Sequence, residues 1–168
     1  MLAPGQKGYV DTTADDRGLD LDVLGGTLSF FIRSLDIAVS RDLDERLKGL
    51  EVARGKGKIT TLLLIDSHPG IRPSEIAERI MKDRAHVTRI IDSFIAHDIV
   101  SRRTADQDNR AYELCVTEHG AALAKQVREI VIAQEEAFFG PLLGKKDHDA
   151  LVETLQKIYL KLVPKAGI

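Results

Sequence analysis

The sequence lacks tryptophan, has a single cysteine and contains no long apolar run. Cys115 cannot form an internal disulfide, and no CxxC pair indicates a metal or redox site. No stretch approaches the roughly 18 apolar residues of a membrane helix, and the N-terminus does not have the pattern of a signal peptide. We therefore expect a cytoplasmic protein that makes no contact with membranes.

The chain also lacks a large excess of charge of either sign, because 24 Lys and Arg residues oppose 26 Asp and Glu residues. Any surface for a polyanion must therefore be local. An apolar content of 43% in 168 residues fits one domain with its own core. Residues 1–18 have no periodicity and are predicted to be a flexible arm, which leaves 19–168 as a single domain.

Nothing in the sequence indicates an enzyme. There is no glycine-rich phosphate loop, no GxSxG motif and no carboxylate pair spaced for acid–base chemistry. The five histidines lie far apart, without HxxxH or HExxH spacing. Cys115 lies within a predicted strand, where a packed thiol is more usual than a reactive one. We expect a binding protein with no metal and no cofactor.

Apolar periodicity predicts two helices in the first part of the chain. Residues recur at three- and four-residue steps and predict a long amphipathic helix over about 20–48. These residues are Leu24, Leu28, Phe31, Leu35, Val39, Leu43 and Leu47. Three glycines follow, and KITTLLLIDSH (58–68) then predicts a short buried helix that ends before Pro69 and Gly70.

The segment IRPSEIAERIMKDRAHVTRIIDSFIAHDIVSRR (71–103) predicts two helices joined by a tight turn from Met81 to Asp83. Ser74 can cap the first helix after Pro73 and is also a candidate DNA contact. The inward residues are predicted to be Ile76, Ala77, Ile80, Val87, Ile90, Ile91 and Phe94. The outward side of the second helix presents Arg84, Ala85, His86, Thr88 and Arg89. This spacing is typical of a helix-turn-helix whose second helix enters the DNA major groove.

Two short strands follow, IVSRRT and RAYELCV, around the polar loop ADQDN. Their alternation places Tyr112, Leu114 and Val116 on the packed face. An arginine at the tip, Arg110, oriented by Asp108, suits a narrow minor groove, and Arg102 and Arg103 can bind phosphates. The alternatives are an ordinary solvated turn for this hairpin and, for Arg84 and Arg89, a charged helix face.

These segments together resemble the winged-helix core of the MarR family of bacterial transcription regulators. The family's wing signature is matched by Asp108, Arg110, Thr117 and Gly120, with Val116 in place of a leucine. The recognition helix of the family falls on about Arg84 to His97, and Ala85 stands where the family often has serine. The resemblance implies a mainly α fold, with a winged helix-turn-helix, a small β-hairpin wing and N- and C-terminal dimerisation helices.

The C-terminal third predicts two further helices. Thr117 can cap one over Glu118 to about Phe139, which ends at Gly140 and Pro141. A last helix, from about Asp147 to Val163, is predicted to bury Leu151, Leu155, Ile158 and Leu162. The core at about 56–117 is too small to cover the helices at 20–48 and 118–163, so we expect a two-fold dimer. The resemblance implies that this homodimer binds a palindromic operator.

The family resemblance further implies a small effector that changes the separation of the recognition helices. The sequence of residues 61–71 and 82–92 is similar to that of family members that govern aromatic-acid breakdown. The expected effector is therefore an aromatic acid or an aromatic acyl-CoA. Phe30, Arg33 and His68 are candidate effector contacts, with core packing and a surface ion pair as alternatives. We expect a repressor. The alternative is a helical protein-interaction module whose winged fold does not bind DNA, which would gain nothing from clustered arginines.

Overall fold

The computed structural model describes residues 18–55, 57–105 and 108–163, with the backbone alone at 104, 105 and 108–111. Close contacts divide the chain into two compact units, residues 1–41 and 42–168, and each unit is described by itself. The assignment of 19–168 to a single domain stays a prediction. No helix among the described residues is long and apolar enough to cross a membrane.

The first unit contains a 3-10 helix, Asp22–Gly26, and most of helix α1, Leu28–Arg46. The long helix predicted from residue 20 therefore begins later than expected. Two consecutive glycines, Gly25 and Gly26, explain the interruption, because each glycine costs about 1 kcal/mol in a helix interior. Thr27 then has an extended backbone, and its hydroxyl donates a hydrogen bond to the Leu24 carbonyl at 3.0 Å.

The second unit holds the end of α1, five further helices and a two-stranded hairpin. These elements are α2 Lys58–Ser67, α3 Pro73–Arg79, α4 Arg84–Ala96, β1 Val100–Ala105, β2 Asp108–Val116, α5 Glu118–Phe139 and α6 Lys145–Leu162. The predicted fold class, a mainly α winged helix-turn-helix with a hairpin wing, is confirmed. The predicted ends of α2 and α5 agree with the structure, whereas α6 begins two residues earlier than predicted.

The core of the second unit is assembled from every element between the end of α1 and the middle of α5. Its largest fully buried side chains are Phe94, Leu47, Leu62, Ile65, Ile76, Ile91, Ile99, Leu114, Val52, Val87 and Val127. Full burial of each such side chain contributes about 1.5–3 kcal/mol to stability. The apolar residues predicted to face inward on α3 and α4 belong to this core or pack against it.

The wing is an antiparallel pair in which Val100 lies opposite Val116 and Thr104 lies opposite Tyr112. The loop before α3 adds a third short partner, because the Leu114 N–H donates to the Ile71 carbonyl at 3.2 Å. Leu114 is fully buried, and the packed face predicted for β2 is confirmed at this residue. The base of the wing is therefore held in the core.

Helix α5 begins at the base of the wing. The Thr117 hydroxyl accepts a hydrogen bond from the Gly120 N–H at 3.0 Å, which confirms the predicted cap. The Thr117 N–H in turn donates to the Ile99 carbonyl at 3.0 Å. A side chain at position 120 would place its Cβ 1.9 Å from that same carbonyl oxygen. Only glycine therefore allows α5 to start this close to the strand.

The apolar face of α6 is exposed in the single chain, contrary to the predicted burial. Its four predicted inward residues retain between 40% and 62% of their accessible surface. These residues are Leu151, Leu155, Ile158 and Leu162. The core closes with the first half of α5, so α6 extends beyond it and the described part of the chain leaves this face uncovered.

Candidate nucleic-acid interface

Helix α3 begins one residue earlier than its predicted cap. Arg72 is the N-cap, and its backbone N–H donates to a carboxylate oxygen of Glu75 at 2.9 Å. Pro73 takes the first helical position because it has no N–H to satisfy there. The prediction that Ser74 caps this helix is therefore wrong. Ser74 is half-buried and lines a cleft of about 450 Å³ between the helix-turn-helix and Leu162.

The turn between α3 and α4 lies where the sequence predicts it. Met81 has a φ of 51°, a left-handed conformation that glycine adopts more easily. Asp83 then caps α4, and its carboxylate accepts a hydrogen bond from the His86 N–H at 2.7 Å. That backbone hydrogen bond holds the pKa of Asp83 below its ordinary value. The turn is thus fixed by a charged cap despite the strained methionine.

Helix α4 has two distinct sides. Val87, Ile91 and Phe94 are buried in the core, so the helix cannot rotate without exposing them. Ala85 and Arg89 are exposed on the opposite side. The neighbouring residues are arranged as predicted: Arg84 is exposed at the start of the helix, and His86 and Thr88 are half-buried at its flanks.

The two arginines of α4 carry positive charge to this outward side. The Arg89 Nε donates to the Ala85 carbonyl at 3.3 Å, which lays the side chain along its own helix. Among the described residues, no carboxylate forms an ion pair with Arg84 or Arg89 within 4.0 Å. Their charges therefore remain available to an external anion. Because the side chain of Ala85 is only a methyl group, it leaves room for a ligand to approach the helix backbone closely.

The wing arginines differ from one another. Arg102 forms an ion pair with Asp92 of α4, and its guanidinium carbon lies 4.6 Å from the centre of the Tyr112 ring. Arg103 is exposed on the other face of β1. Strand β2 begins at Asp108, two residues earlier than predicted, so the backbones of Asp108 and Arg110 belong to the strand and the prediction that Arg110 lies at the loop tip is wrong. The side chains of both residues lie outside the described residues. Sequence reasoning missed the role of Asp92, because pairing across ten residues leaves no periodic signal.

The candidate effector residues lie in different units. Phe30 and Arg33 are on α1, where Phe30 packs edge-on against Phe31 with ring centres 5.3 Å apart. His68 follows α2 in the second unit and lines a cavity of about 280 Å³, together with Leu64, Pro69, Gly70, Ile71, Glu75 and Arg79. Their grouping in one effector site stays a prediction. The described ranges contain no cluster of His, Cys, Asp or Glu suited to a metal ion.

Comparison with known proteins gives consistent results. The sequence model of the MarR family matches residues 57–112. A putative transcriptional regulatory protein for the hcr operon of Thauera aromatica is 24% identical over 136 residues, 81% of each chain. The HTH-type transcriptional repressor YetL of Bacillus subtilis (strain 168) is 28% identical over 103 residues, 60% of this chain and 62% of YetL. The solved structure of the transcriptional repressor CouR bound to a 23-mer DNA duplex has a TM-score of 0.76 at 24% identity, covering 83% of this chain and 97% of CouR.

The Asp83 cap generates a stability prediction with a defined dependence on pH. Asp83→Ala should lower the melting temperature at neutral pH, because the His86 N–H loses its acceptor. Asp83→Asn keeps an acceptor and should retain most of the stability. Since folding lowers the pKa of Asp83, its ionisation stabilises the protein above the ordinary aspartate pKa, and this contribution is lost as the pH falls through the lowered value.

Thermal unfolding followed by circular dichroism, from neutral pH into the acid range, would measure these differences. The advantage of the wild type over Asp83→Asn should disappear at the acid end. Equal melting temperatures for all three proteins at neutral pH would show that this cap does not stabilise the turn.

Proposed function

Since this chain is a MarR-family transcriptional regulator, we propose that it is a homodimeric repressor in the cytoplasm, which binds a palindromic operator and is released by a small effector. The outward side of α4 carries the proposal, because it presents two arginines and a small residue where the family places its recognition helix. The family is one of regulators rather than enzymes.

The charges and shape of α4 suit the DNA major groove. Arginine side chains at the outward positions can bind the O6 and N7 atoms of guanine in a bidentate manner. Thr88, half-buried beside Arg89, offers a hydroxyl and a methyl group to a base edge. Ala85 in place of serine removes one hydrogen-bonding group from this surface, so base preference here depends more heavily on Arg84 and Arg89.

The wing would supply contacts outside the major groove. Arg103 is exposed in the second half of β1 and would neutralise a phosphate. Arg110, near the start of β2, would enter the minor groove with Asp108 beside it. The names of two relatives agree with repression, since YetL and CouR are both called repressors and CouR was solved on a DNA duplex.

Two copies of the chain would form the functional unit. The apolar face of α6 is exposed to an extent that a soluble surface rarely tolerates over a whole helix. Leu28, Phe31 and Leu35 are likewise exposed on α1. An isologous contact would cover these residues in both subunits at once. It would also set two recognition helices about one DNA turn apart, as a palindromic operator requires.

Arg89→Ala should weaken operator binding by about 1–3 kcal/mol and reduce the preference for operator over scrambled DNA, because a base contact is lost. Arg103→Gln should weaken binding to both duplexes equally and lower the salt slope by about 1. Arg128→Ala is the matched control, since this arginine pairs with Asp66 of α2, away from the outward side of α4. Fluorescence anisotropy at several salt concentrations, with a duplex from upstream of the protein's own gene, would measure all three.

If Arg89→Ala binds both duplexes as the wild type and Arg128→Ala do, α4 does not read the operator. If the wild type itself binds neither duplex in a salt-dependent manner, the proposal of DNA binding fails and a protein-interaction module replaces it.

Leu155→Asp should convert the dimer into a monomer, because a carboxylate would be buried in the two-fold contact. Leu160→Asp is the control, since Leu160 lies on the same helix but points about 140° around its axis from Leu155. Sedimentation velocity would distinguish the two species. A Leu155→Asp protein that remains dimeric would place the subunit interface elsewhere.

The proposed effector is an aromatic acid or its acyl-CoA thioester, with Arg33 of α1 binding the anionic group; Phe30 and His68 are the other candidate contacts. Titration of benzoate-class acids and their thioesters into the preformed DNA complex should release the duplex. Arg33→Gln should raise the concentration needed, because the cation is lost, whereas Arg41→Gln, also exposed on α1, should leave it unchanged. Release that is unaffected by Arg33→Gln would remove Arg33 from the site.

A further inference from the structure

Three side chains connect α4 to both strands of the wing. The carboxylate of Asp92 pairs with the Arg102 guanidinium, which also covers the Tyr112 ring at 4.6 Å. Arg102 lies opposite Leu114, and Tyr112 lies opposite Thr104, so Arg102 and Tyr112 are diagonal neighbours across the two strands. A planar guanidinium can form an ion pair with a carboxylate and stack on an aromatic ring at the same time. A lysine ammonium makes both contacts less well.

The position of Asp92 makes this contact more than a surface ion pair. Asp92 is exposed and lies three residues after Arg89, on the side of α4 that we assign to DNA. An unpaired carboxylate there would repel phosphates. Arg102 neutralises it, and in doing so Arg102 is withdrawn from phosphate binding. The sequence expectation that Arg102 simply binds phosphate does not account for this arrangement.

Two sets of contacts hold the described part of the wing. Its base is tied to the core through Leu114, Ile71 and Ile99. Level with Leu114, the Asp92–Arg102 pair links the hairpin sideways to the recognition helix, and the Arg102 guanidinium also covers the ring of Tyr112, two residues further out on β2. The pair therefore joins the wing to α4 by a direct side-chain contact between the two elements.

We propose that Asp92, Arg102 and Tyr112 form a strut that positions the wing against α4 and thereby raises discrimination between operator and other DNA. This inference rests on the proposed function. A helix in the major groove and a hairpin in the adjacent minor groove can engage one site only if their separation matches the DNA. Asp92 is a positioning residue in this scheme, acting through Arg102.

The strut has a signature that a phosphate contact lacks. Asp92→Asn frees the wing and also frees Arg102 to bind any phosphate. Affinity for scrambled DNA should therefore rise or stay constant while the preference for the operator falls. Loss of a phosphate contact would instead weaken binding to both duplexes together.

The test combines one measurement without DNA and one with it, using the full-length protein. Hydrogen exchange of the β1 and β2 amides should be faster in Asp92→Asn, by about two- to fivefold as expected for an exposed pair. The ratio of operator to scrambled affinity should fall by a similar factor. Asp92→Glu keeps the charge and can still reach Arg102, so it should restore both values. Arg103→Gln is the control on the same strand and should leave the ratio unchanged.

A double-mutant cycle with Arg110→Ala makes the test sharper. If the strut acts by positioning the wing, Asp92→Asn should cost no further operator preference once Arg110 is removed. Additive losses in the cycle, or unchanged exchange in Asp92→Asn, would overturn the strut while leaving operator binding intact. A wild type that shows no operator preference would overturn the proposed function and the specificity role together.

Discussion

The burial of one side of α4 is the constraint on which the rest of the interface depends. Val87, Ile91 and Phe94 are removed from water against α2 and the base of the wing, and each contributes about 1.5–3 kcal/mol. A rotation of α4 that exposed them would cost a large part of the stability of a small domain. Core packing alone therefore determines which residues of α4 face outward.

Helices α5 and α6 are each joined to an element of this interface. Gly120 brings the start of α5 against the Ile99 carbonyl, at the base of the wing. At the other end, the Tyr159 hydroxyl of α6 donates to the Arg79 carbonyl of α3 at 3.0 Å. A shift of α6 at a subunit contact would therefore reach the last residue of α3 directly. If an effector acts on the dimer as proposed, this hydrogen bond offers it a short route to the helix-turn-helix.

Local signals made most of the second unit predictable from sequence. Apolar periodicity gives α4, and the Thr117 cap with Gly140 and Pro141 gives both ends of α5. The predicted start of the first helix lies too early in the chain, because the apolar periodicity continues through Gly25 and Gly26. Backbone entropy opposes a helix at these two glycines. The predicted cap of α3, Ser74, is wrong because the helix begins with a backbone hydrogen bond. The Arg72 N–H donates to the Glu75 carboxylate. A preference scale for side chains does not contain that information.

The site was harder to predict than the fold because the role of a charge depends on its partners. Arg102 and Arg103 are adjacent and identical in the sequence, yet alternation in a strand turns one toward Asp92 and the other toward solvent. Counting arginines therefore overstates the number of phosphates that the wing can neutralise. In the proposed complex, with Arg102 paired to Asp92, the remaining contacts would depend more heavily on bases and groove shape. Such a distribution favours discrimination over total affinity, which is the property that a regulator needs among many competing sites.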